Sequence, residues 1–438
     1  MITSPSWRDK HFGVLGLARS GTATVRALVA SGAVVEAWDA DEGKRSQFHD
    51  EFVGEGSSGA FLDDLENLDD HAFEQLDGLI VSPGVPLNRH SLAAKARAAG
   101  VPIIGDIELF AQARPALPAH KVVGITGTNG KSTTTALIHH ILDTAGVPTR
   151  MGGNIGLPIL GQDPLPEGGV YVLELSSYQI DLTLSLDCDV AVLLNITPDH
   201  LDRYDGFEAY AASKARLFAM QAKDHEAIIG IGDAPSAAIA RTLSARGEHL
   251  TKIAPGVCMD QSPWPSLQGP HNAQNALAAI AACQALGVAE ADIDRGLESF
   301  RGLPHRMERV RELRGVAYVD DSKATNPEST APALGAFGRI HWIVGGQAKT
   351  DDLDACAPYF DRVARAYTVG EAGPRFAALL APHMAVEESG DLARAVSSAA
   401  ANARPGETVL LSPACASFDQ FRDYEDRGNQ FRALAEAL

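Results

Sequence analysis

The chain has 438 residues, 45% of them hydrophobic and 21% charged, with a formal net charge of −19. That length exceeds what one hydrophobic core serves, so about three domains are expected. The balance of 37 Lys and Arg against 56 Asp and Glu argues against nucleic acid as the main partner, because a phosphate backbone would be repelled overall. A small phosphorylated ligand held by a few local donors stays open. No run approaches the ~18 to 20 apolar residues of a membrane helix, and no signal-like apolar stretch follows Arg8 and Asp9. Cys188, Cys258, Cys283, Cys356 and Cys415 are scattered and never spaced as C-x-x-C, which suits reduced thiols rather than disulfides or a zinc site. A cytoplasmic monomer with no nucleic-acid or membrane partner is expected.

Apolar strand-like runs alternate with Ala-rich helical stretches along the whole chain, predicting an α/β fold of parallel sheets covered on both faces. In the first hundred residues the strand candidates are Phe12–Leu15, Val34–Trp38, Leu79–Val81 and Pro102–Ile104. Turn signals at Gly32, Ser82-Pro83-Gly84 and Gly100 separate them from helices. The acidic, Gly/Ser-rich stretch from Phe48 to His71 reads as a surface excursion. Gly13-x-x-Gly16-Leu-Ala-Arg-Ser-Gly21 follows the first strand without G-x-G-x-x-G spacing, and Asp39 ends the second. That pair fits nucleotide binding and plain packing about equally. A second series runs from Lys121 to about Leu297. A third holds Val316–Val319, Trp342–Val344, Ala366–Val369 and Thr408–Leu411. Seams near Gly105 and Gly302 then give domains 1–105, 106–302 and 303–438.

The second series carries the clearest chemistry. Val122–Thr126 reads as a buried strand, and 133–145 as a helix with the apolar stripe Leu137, Ile138, Ile141 and Leu142. Between them lies Gly127-Thr128-Asn129-Gly130-Lys131-Ser132. Glycines let backbone N–H groups converge on phosphate oxygens, and the helix N-terminus adds partial positive charge. Lys131 would reach the terminal phosphates of ATP and Ser132 would ligate Mg²⁺. The loop departs from G-x-x-x-x-G-K-[ST], since Ile125 occupies the first glycine position.

Two further residues sit where a hard cation would be held. Glu174 closes the apolar strand Tyr171-Val-Leu-Glu174, and His200 lies just past the run Val190–Leu194. In the helix predicted for 207–220, Lys214 shares the apolar face of Phe207, Tyr210, Ala211, Leu217 and Phe218. A lysine there is costly unless it is paired or chemically altered. The pattern fits a snorkelling or salt-bridged side chain and a modified lysine near metals equally.

The third series delivers polar loops at three strand ends: Asp320-Asp321-Ser322-Lys323-Ala324-Thr325-Asn326, Val344-Gly-Gly-Gln-Ala-Lys349 and Leu411-Ser-Pro-Ala-Cys-Ala-Ser417. Strand C-terminal ends are where open α/β sheets bind ligands. Two lysines and a serine there suit a carboxylate-bearing substrate. Asn326 is expected to cap a helix opening at Pro327.

In order, Gly105-Asp-Ile-Glu-Leu-Phe110, the phosphate loop, Gly152-Gly-Asn-Ile-Gly156, Leu173-Glu-Leu-Ser-Ser177 and Asp199-His-Leu-Asp-Arg-Tyr204 are followed by His271-Asn-Ala-Gln-Asn275, Gly302-Leu-Pro-His-Arg306, Asp321-Ser-Lys-Ala-Thr-Asn326 and the 411–417 loop. This series resembles the Mur ligases of peptidoglycan synthesis through all three units. The resemblance implies three domains: an N-terminal Rossmann-like UDP-sugar domain, a central P-loop-type ATPase sheet and a C-terminal Rossmann-like amino-acid domain. It implies ATP held by the phosphate loop with Asn275, Arg306 and Asp321, and two Mg²⁺ ions at Ser132, Glu174, His200 and a carbamylated Lys214. Lys131, His200 and Lys214 would be the catalytic residues. Leu17, Ala18, Asp39, Gly84 and Asn154 would contact UDP-N-acetylmuramoyl-L-alanine. Lys323, Thr325, Lys349, Ser417, Phe418 and Tyr424 would hold D-glutamate. The sister that adds L-alanine would carry His where Asn129 stands, and the one that adds a diamino acid would show Asp-Asn-Pro-Arg in its third unit. Folylpolyglutamate synthase lacks the N-terminal unit. A nucleotide-gated binding protein would not need Glu174, His200, Lys214 and Lys323 together.

Overall fold

A computed structural model describes all residues except 54–58, 200–202, 255, 257, 258 and 265, and the side chain of residue 53. Seventeen strands among the described residues form three sheets. β1 (His11–Leu15), β2 (Val34–Trp38), β3 (Ala60–Leu62), β4 (Gly78–Val81) and β5 (Ile103–Ile104) form a parallel sheet in the order β3-β2-β1-β4-β5. β6 (His120–Thr126), β7 (Thr149–Gly153), β8 (Gly169–Glu174), β9 (Val190–Leu193), β10 (Glu226–Gly230) and β11 (Leu250–Ile253) form the second, ordered β11-β10-β9-β6-β8-β7. β12 (Glu308–Leu313), β13 (Val316–Asp320), β14 (Ile340–Gly345), β15 (Val363–Val369), β16 (Ala385–Gly390) and β17 (Thr408–Leu411) form the third, ordered β12-β13-β17-β14-β15-β16. Only β12 runs antiparallel to its neighbour there.

The expected α/β class holds, with one correction in the first sheet. The 48–71 stretch is not wholly an excursion: Ala60–Leu62 pairs with β2 as an edge strand. Three residues, with Phe61 half exposed, are too few to show alternation.

Two compact units result: Met1–Pro255 with Leu277–Gly296, and Gly256–Ala276 with Leu297–Leu438. The first holds two sheets, which are tied together at the Gly105 seam. The Gly105 N–H donates to the Leu182 carbonyl at 2.9 Å. Buried Glu108 accepts from the N–H groups of Leu184 and Ser185 and from the Ser185 hydroxyl. Charge-assisted bonds of this kind contribute about 1.5 to 3 kcal/mol each.

The strands β8 and β9 are buried on both faces, as their continuous apolar sequences require. Helix Lys131–Thr144 covers the second sheet with Leu137, Ile138, Ile141 and Leu142, all fully buried. Each such side chain contributes roughly 1.5 to 3 kcal/mol. The helix stops at Gly146, whose φ of +75° continues no α-helix. Among the described residues no helix is long and apolar enough to cross a membrane. Cys188, Cys283, Cys356 and Cys415 are free and buried; Cys258 lies outside the described residues.

Candidate active site

In the second sheet the order reverses at β6, which lies between β9 and β8, so a ligand crevice opens beyond its C-terminal end. The loop 127–130 emerges there. Gly130 caps the following helix at φ +86°, a conformation that a side chain would strain, and no side chain caps that helix end. A helix N-terminus of this kind, opened by glycine, carries partial positive charge toward the loop and suits an anion. Two contacts fix the loop from behind. Asn129 N–H donates to Asn195 Oδ1 at 2.9 Å while Asn195 Nδ2 donates to Asn129 O at 3.1 Å. Thr128 Oγ1 accepts from Thr197 N–H at 3.0 Å and lies 3.1 Å from Tyr210 Oη. Lys131 Nζ is folded onto the Gly127 and Thr128 carbonyls at 3.0 and 2.8 Å.

Lys214 is 1% exposed, on the buried face of helix Phe207–Ala219. Its Nζ donates to Gly127 O at 2.9 Å, the same carbonyl that Lys131 uses, and sits 4.7 Å from the centre of the Tyr210 ring. Burial, and then the nearby Lys131 charge, push the amine well below the ordinary lysine range. The side chain does not snorkel to solvent, and its surroundings disfavour the ammonium form. Glu174 ends β8 at 2% exposure. Its Oε1 accepts from Asn154 Nδ2 at 2.8 Å, whereas Oε2 is buried with no hydrogen-bond partner among the described residues. A buried carboxylate oxygen left bare in this way fits a divalent cation, with its hard oxygen donor. His200 lies outside the described residues.

The first sheet reverses at β1, between β2 and β4. Leu17 and Ala18 lie beyond β1 and Gly84 beyond β4, and a cleft of about 600 Å³ is lined by Leu17, Ala18, Arg19, Lys44 and Leu157, among others. Asp39 supports this edge. Its Oδ2 accepts from Leu17 N–H at 2.7 Å and its Oδ1 from Asp41 N–H at 2.9 Å, with Lys44 Nζ at 3.4 Å. Burial alone would raise this carboxyl, but those donors hold it below the usual aspartate value. Its packing and binding roles are therefore compatible.

In the second unit the three anticipated loops converge. Asp320 closes β13 and Asp321 follows it, and Asn326 caps helix Pro327–Ala336 by accepting from Ser329 N–H at 2.8 Å. Asp321 accepts from Ser412 Oγ at 2.7 Å and from Met307 N–H at 3.2 Å. Burial pushes it up to about 7, against the pull of those donors and of Arg306. Lys323 Nζ stands 3.7 Å over the Tyr424 ring. Ser417 is buried, Phe418 is 68% exposed, and Lys349 is exposed on the 345–349 loop. Thr325 is half-buried. Asn275 is buried and donates to Asn272 Oδ1 at 3.0 Å.

A stability prediction follows for Asp321. Its pKa is higher folded than unfolded, so the folded chain binds more protons between about pH 4 and 7, and stability falls as pH rises through that window. Asp321→Asn keeps an acceptor for Met307 N–H. We expect it to raise the thermal midpoint relative to the parent at pH 8 but not at pH 4, by at most about 4 kcal/mol in stability. An equal shift at both pH values would overturn this.

Sequence reasoning missed Asn195, Tyr210 and the buried Arg427. Arg427 shares a helical stripe with Phe431 and Ala435, all buried on helix Tyr424–Ala437. The same periodicity that exposed Lys214 marks it.

Three family models match this chain in order: a Mur ligase MurD-like N-terminal domain at residues 10–105, a Mur ligase middle domain at 125–256, and a Mur ligase glutamate ligase domain at 305–415. The chain belongs to the Mur ligase family, and it is an ATP-dependent, amide-bond-forming ligase of peptidoglycan precursor synthesis. It is 61% identical to a UDP-N-acetylmuramoylalanine–D-glutamate ligase of Novosphingobium aromaticivorans, over all of this chain and 97% of the relative. It is 60% identical to the protein of that name from Sphingopyxis alaskensis, over the full length of both. Among solved structures it resembles a MurF ligase from Thermotoga maritima in complex with ADP, with a TM-score of 0.59 at 16% identity, covering 99% of this chain and 97% of that one. A FolC from E. coli in complex with ADP superposes with a TM-score of 0.56 at 21% identity, over 81% of this chain and 99% of that one.

Proposed function

We propose that this enzyme joins D-glutamate to UDP-N-acetylmuramoyl-L-alanine in the cytoplasm, as a monomer of three domains, 1–105, 106–302 and 303–438. The observation that supports this most is a glycine-capped helix N-terminus at the phosphate loop, together with Glu174, whose buried Oε2 has no hydrogen-bond partner among the described residues, and the buried Lys214 amine, whose ammonium form is disfavoured. The carboxylate of the bound L-alanine attacks the γ-phosphorus of ATP. The bond to ADP breaks and an acyl phosphate forms. The amine of D-glutamate then attacks the acyl carbon, the carbon–oxygen bond to phosphate breaks, and the amine sheds its proton.

The chain's own residues set this up. The N–H groups at 130–132 and the Lys131 ammonium bind the terminal phosphates and offset charge as it develops. Asn275, Arg306 and Asp321 contact the nucleotide. Leu17, Ala18, Asp39, Gly84 and Asn154 orient the sugar nucleotide. Lys323, Thr325, Lys349, Ser417, Phe418 and Tyr424 hold the glutamate carboxylates and stem. Ser132, Glu174 and His200 would hold two Mg²⁺ ions, which supply charge neutralisation when bound. In its deprotonated form, which burial favours, the Lys214 amine adds to carbon dioxide and loses a proton. The resulting carbamate removes the cost of a buried cation and gives an anionic oxygen pair in its place.

The test supplies ATP, Mg²⁺ and UDP-N-acetylmuramoyl-L-alanine with each candidate amino acid and measures phosphate release. Release is expected with D-glutamate and not with L-glutamate or L-lysine. No release with D-glutamate, or equal release from the unsubstituted sugar nucleotide with L-alanine, would sink the proposal.

A further inference from the structure

Arg427 lies on the first turns of helix Tyr424–Ala437 and is 1% exposed. Burying a guanidinium costs several kcal/mol unless every donor is met. Here four of the five donors are met by oxygens of two separate loops. Nε donates to Ser322 Oγ at 2.9 Å and Nη2 to Ser322 O at 2.8 Å. Nη2 also reaches Cys415 O at 3.0 Å, and Nη1 reaches Ala416 O at 3.3 Å. The Ser322 hydroxyl donates in turn to Tyr424 O at 2.8 Å, which closes the network onto the helix start. Burial lowers the guanidinium only to about 10, so it stays charged at neutral pH.

A third loop is stacked on the same point. Gln347 and Ala416 exchange backbone hydrogen bonds, both at 2.9 Å. Gly346, at φ +129°, passes so close that an added Cβ would stand 2.5 Å from Ala416 O and 3.3 Å from Arg427 Nη1. The three loops brought together are the ones that carry Lys323 and Thr325, Lys349, and Ser417 and Phe418. None of the Arg427 donors points at a carboxylate of the protein in these bonds. Its charge is spent on three carbonyl oxygens and one hydroxyl, which it draws into one cluster at the ends of β13 and β17, with the loop after β14 stacked on it.

We propose that Arg427 is a positioning residue for the amino-acid substrate: it sets the spacing of the three loops that bind glutamate, without touching glutamate itself. This rests on the reading of those loops as the glutamate site. Lysine cannot replace it, because a single ammonium has three donors on one atom and cannot span Ser322 and Ala416 in the plane of a fork.

The experiment compares Arg427→Lys and Arg427→Gln with the parent enzyme. It measures KM for D-glutamate, ATP and the sugar nucleotide, and acyl-phosphate formation in the absence of glutamate. The expected result is a KM for D-glutamate raised about tenfold or more in both variants. The other two KM values should stay within about twofold, and acyl-phosphate formation should be retained. Gly346→Ala, which disturbs the same cluster from another loop, should give the same split and serves if neither arginine variant folds. An unchanged glutamate KM would overturn the proposal. So would a parallel rise in all three constants, or loss of acyl-phosphate formation, since either marks a merely structural residue. Lys323→Ala separates the two levels. If it leaves the glutamate KM unchanged, the site reading fails; if it raises that KM while the Arg427 variants do not, only the positioning role fails.

Discussion

Lys214→Ala is expected to fold and to lose activity by roughly 10²-fold or more, the scale seen when one preorganised charge is removed from a reacting site. Added short carboxylates such as formate or acetate should restore part of it. The side chain is buried on the core face; its amine meets the Gly127 carbonyl and the Tyr210 ring, with Lys131 on the same carbonyl. Two ammonium groups on one oxygen repel, so the arrangement favours a neutral amine and, beyond that, an anion. Truncation opens a space lined by that loop, and a small carboxylate can occupy it. Lys214→Met is the control: it keeps the volume of the stem, fills the space, and should be inactive without responding to carboxylates. Its thermal midpoint should not fall below that of the parent, because the desolvated amine is gone. Full activity of Lys214→Ala would make the residue structural.

How far the sequence carried depended on burial. The central strands and the helix after the phosphate loop are continuous apolar runs or stripes, and they lie where the sequence put them. The strand Val34–Trp38 and the strand Thr408–Leu411 even share their bounds with the structure. Several edge strands escaped, although Pro102–Ile104 did not. Glu308–Leu313 sets two charged residues before each apolar one and leaves Arg309 and Glu312 exposed, and Ala385–Gly390 buries only Ser389. Such segments gain most of their order from a neighbour's backbone, which local pattern does not encode. Lys214 was legible because a charge broke an apolar face. Arg427 broke one too, but at a helix start crowded with Glu425 and Asp426 it reads as solvated. The partners that give both residues meaning come from 87 and about 105 residues away, and only the fold reveals them.

Glu174→Gln is expected to cost on the order of 10³-fold in activity while leaving the fold intact, and the reason lies in the two oxygens of one carboxylate. Oε1 is a structural acceptor for Asn154 Nδ2 at 2.8 Å, and a glutamine carbonyl can keep that bond. Oε2 is buried and unmatched among the described residues, a state that costs free energy unless a further group completes it. If a divalent cation does so, glutamine removes one of the anionic oxygens that hold it and leaves an amide that cannot ligate through nitrogen. Activity measured against Mg²⁺ concentration then separates the roles. The parent should saturate, Glu174→Asp should need more Mg²⁺ because its carboxylate is one methylene shorter, and Glu174→Gln should stay low at every concentration. Thermal midpoints of the metal-free proteins should lie close together, since the Asn154 contact survives in the glutamine form. A glutamine variant with the parent's Mg²⁺ dependence would show that the bare oxygen serves no cation, and the two-ion reading of this site would fall with it.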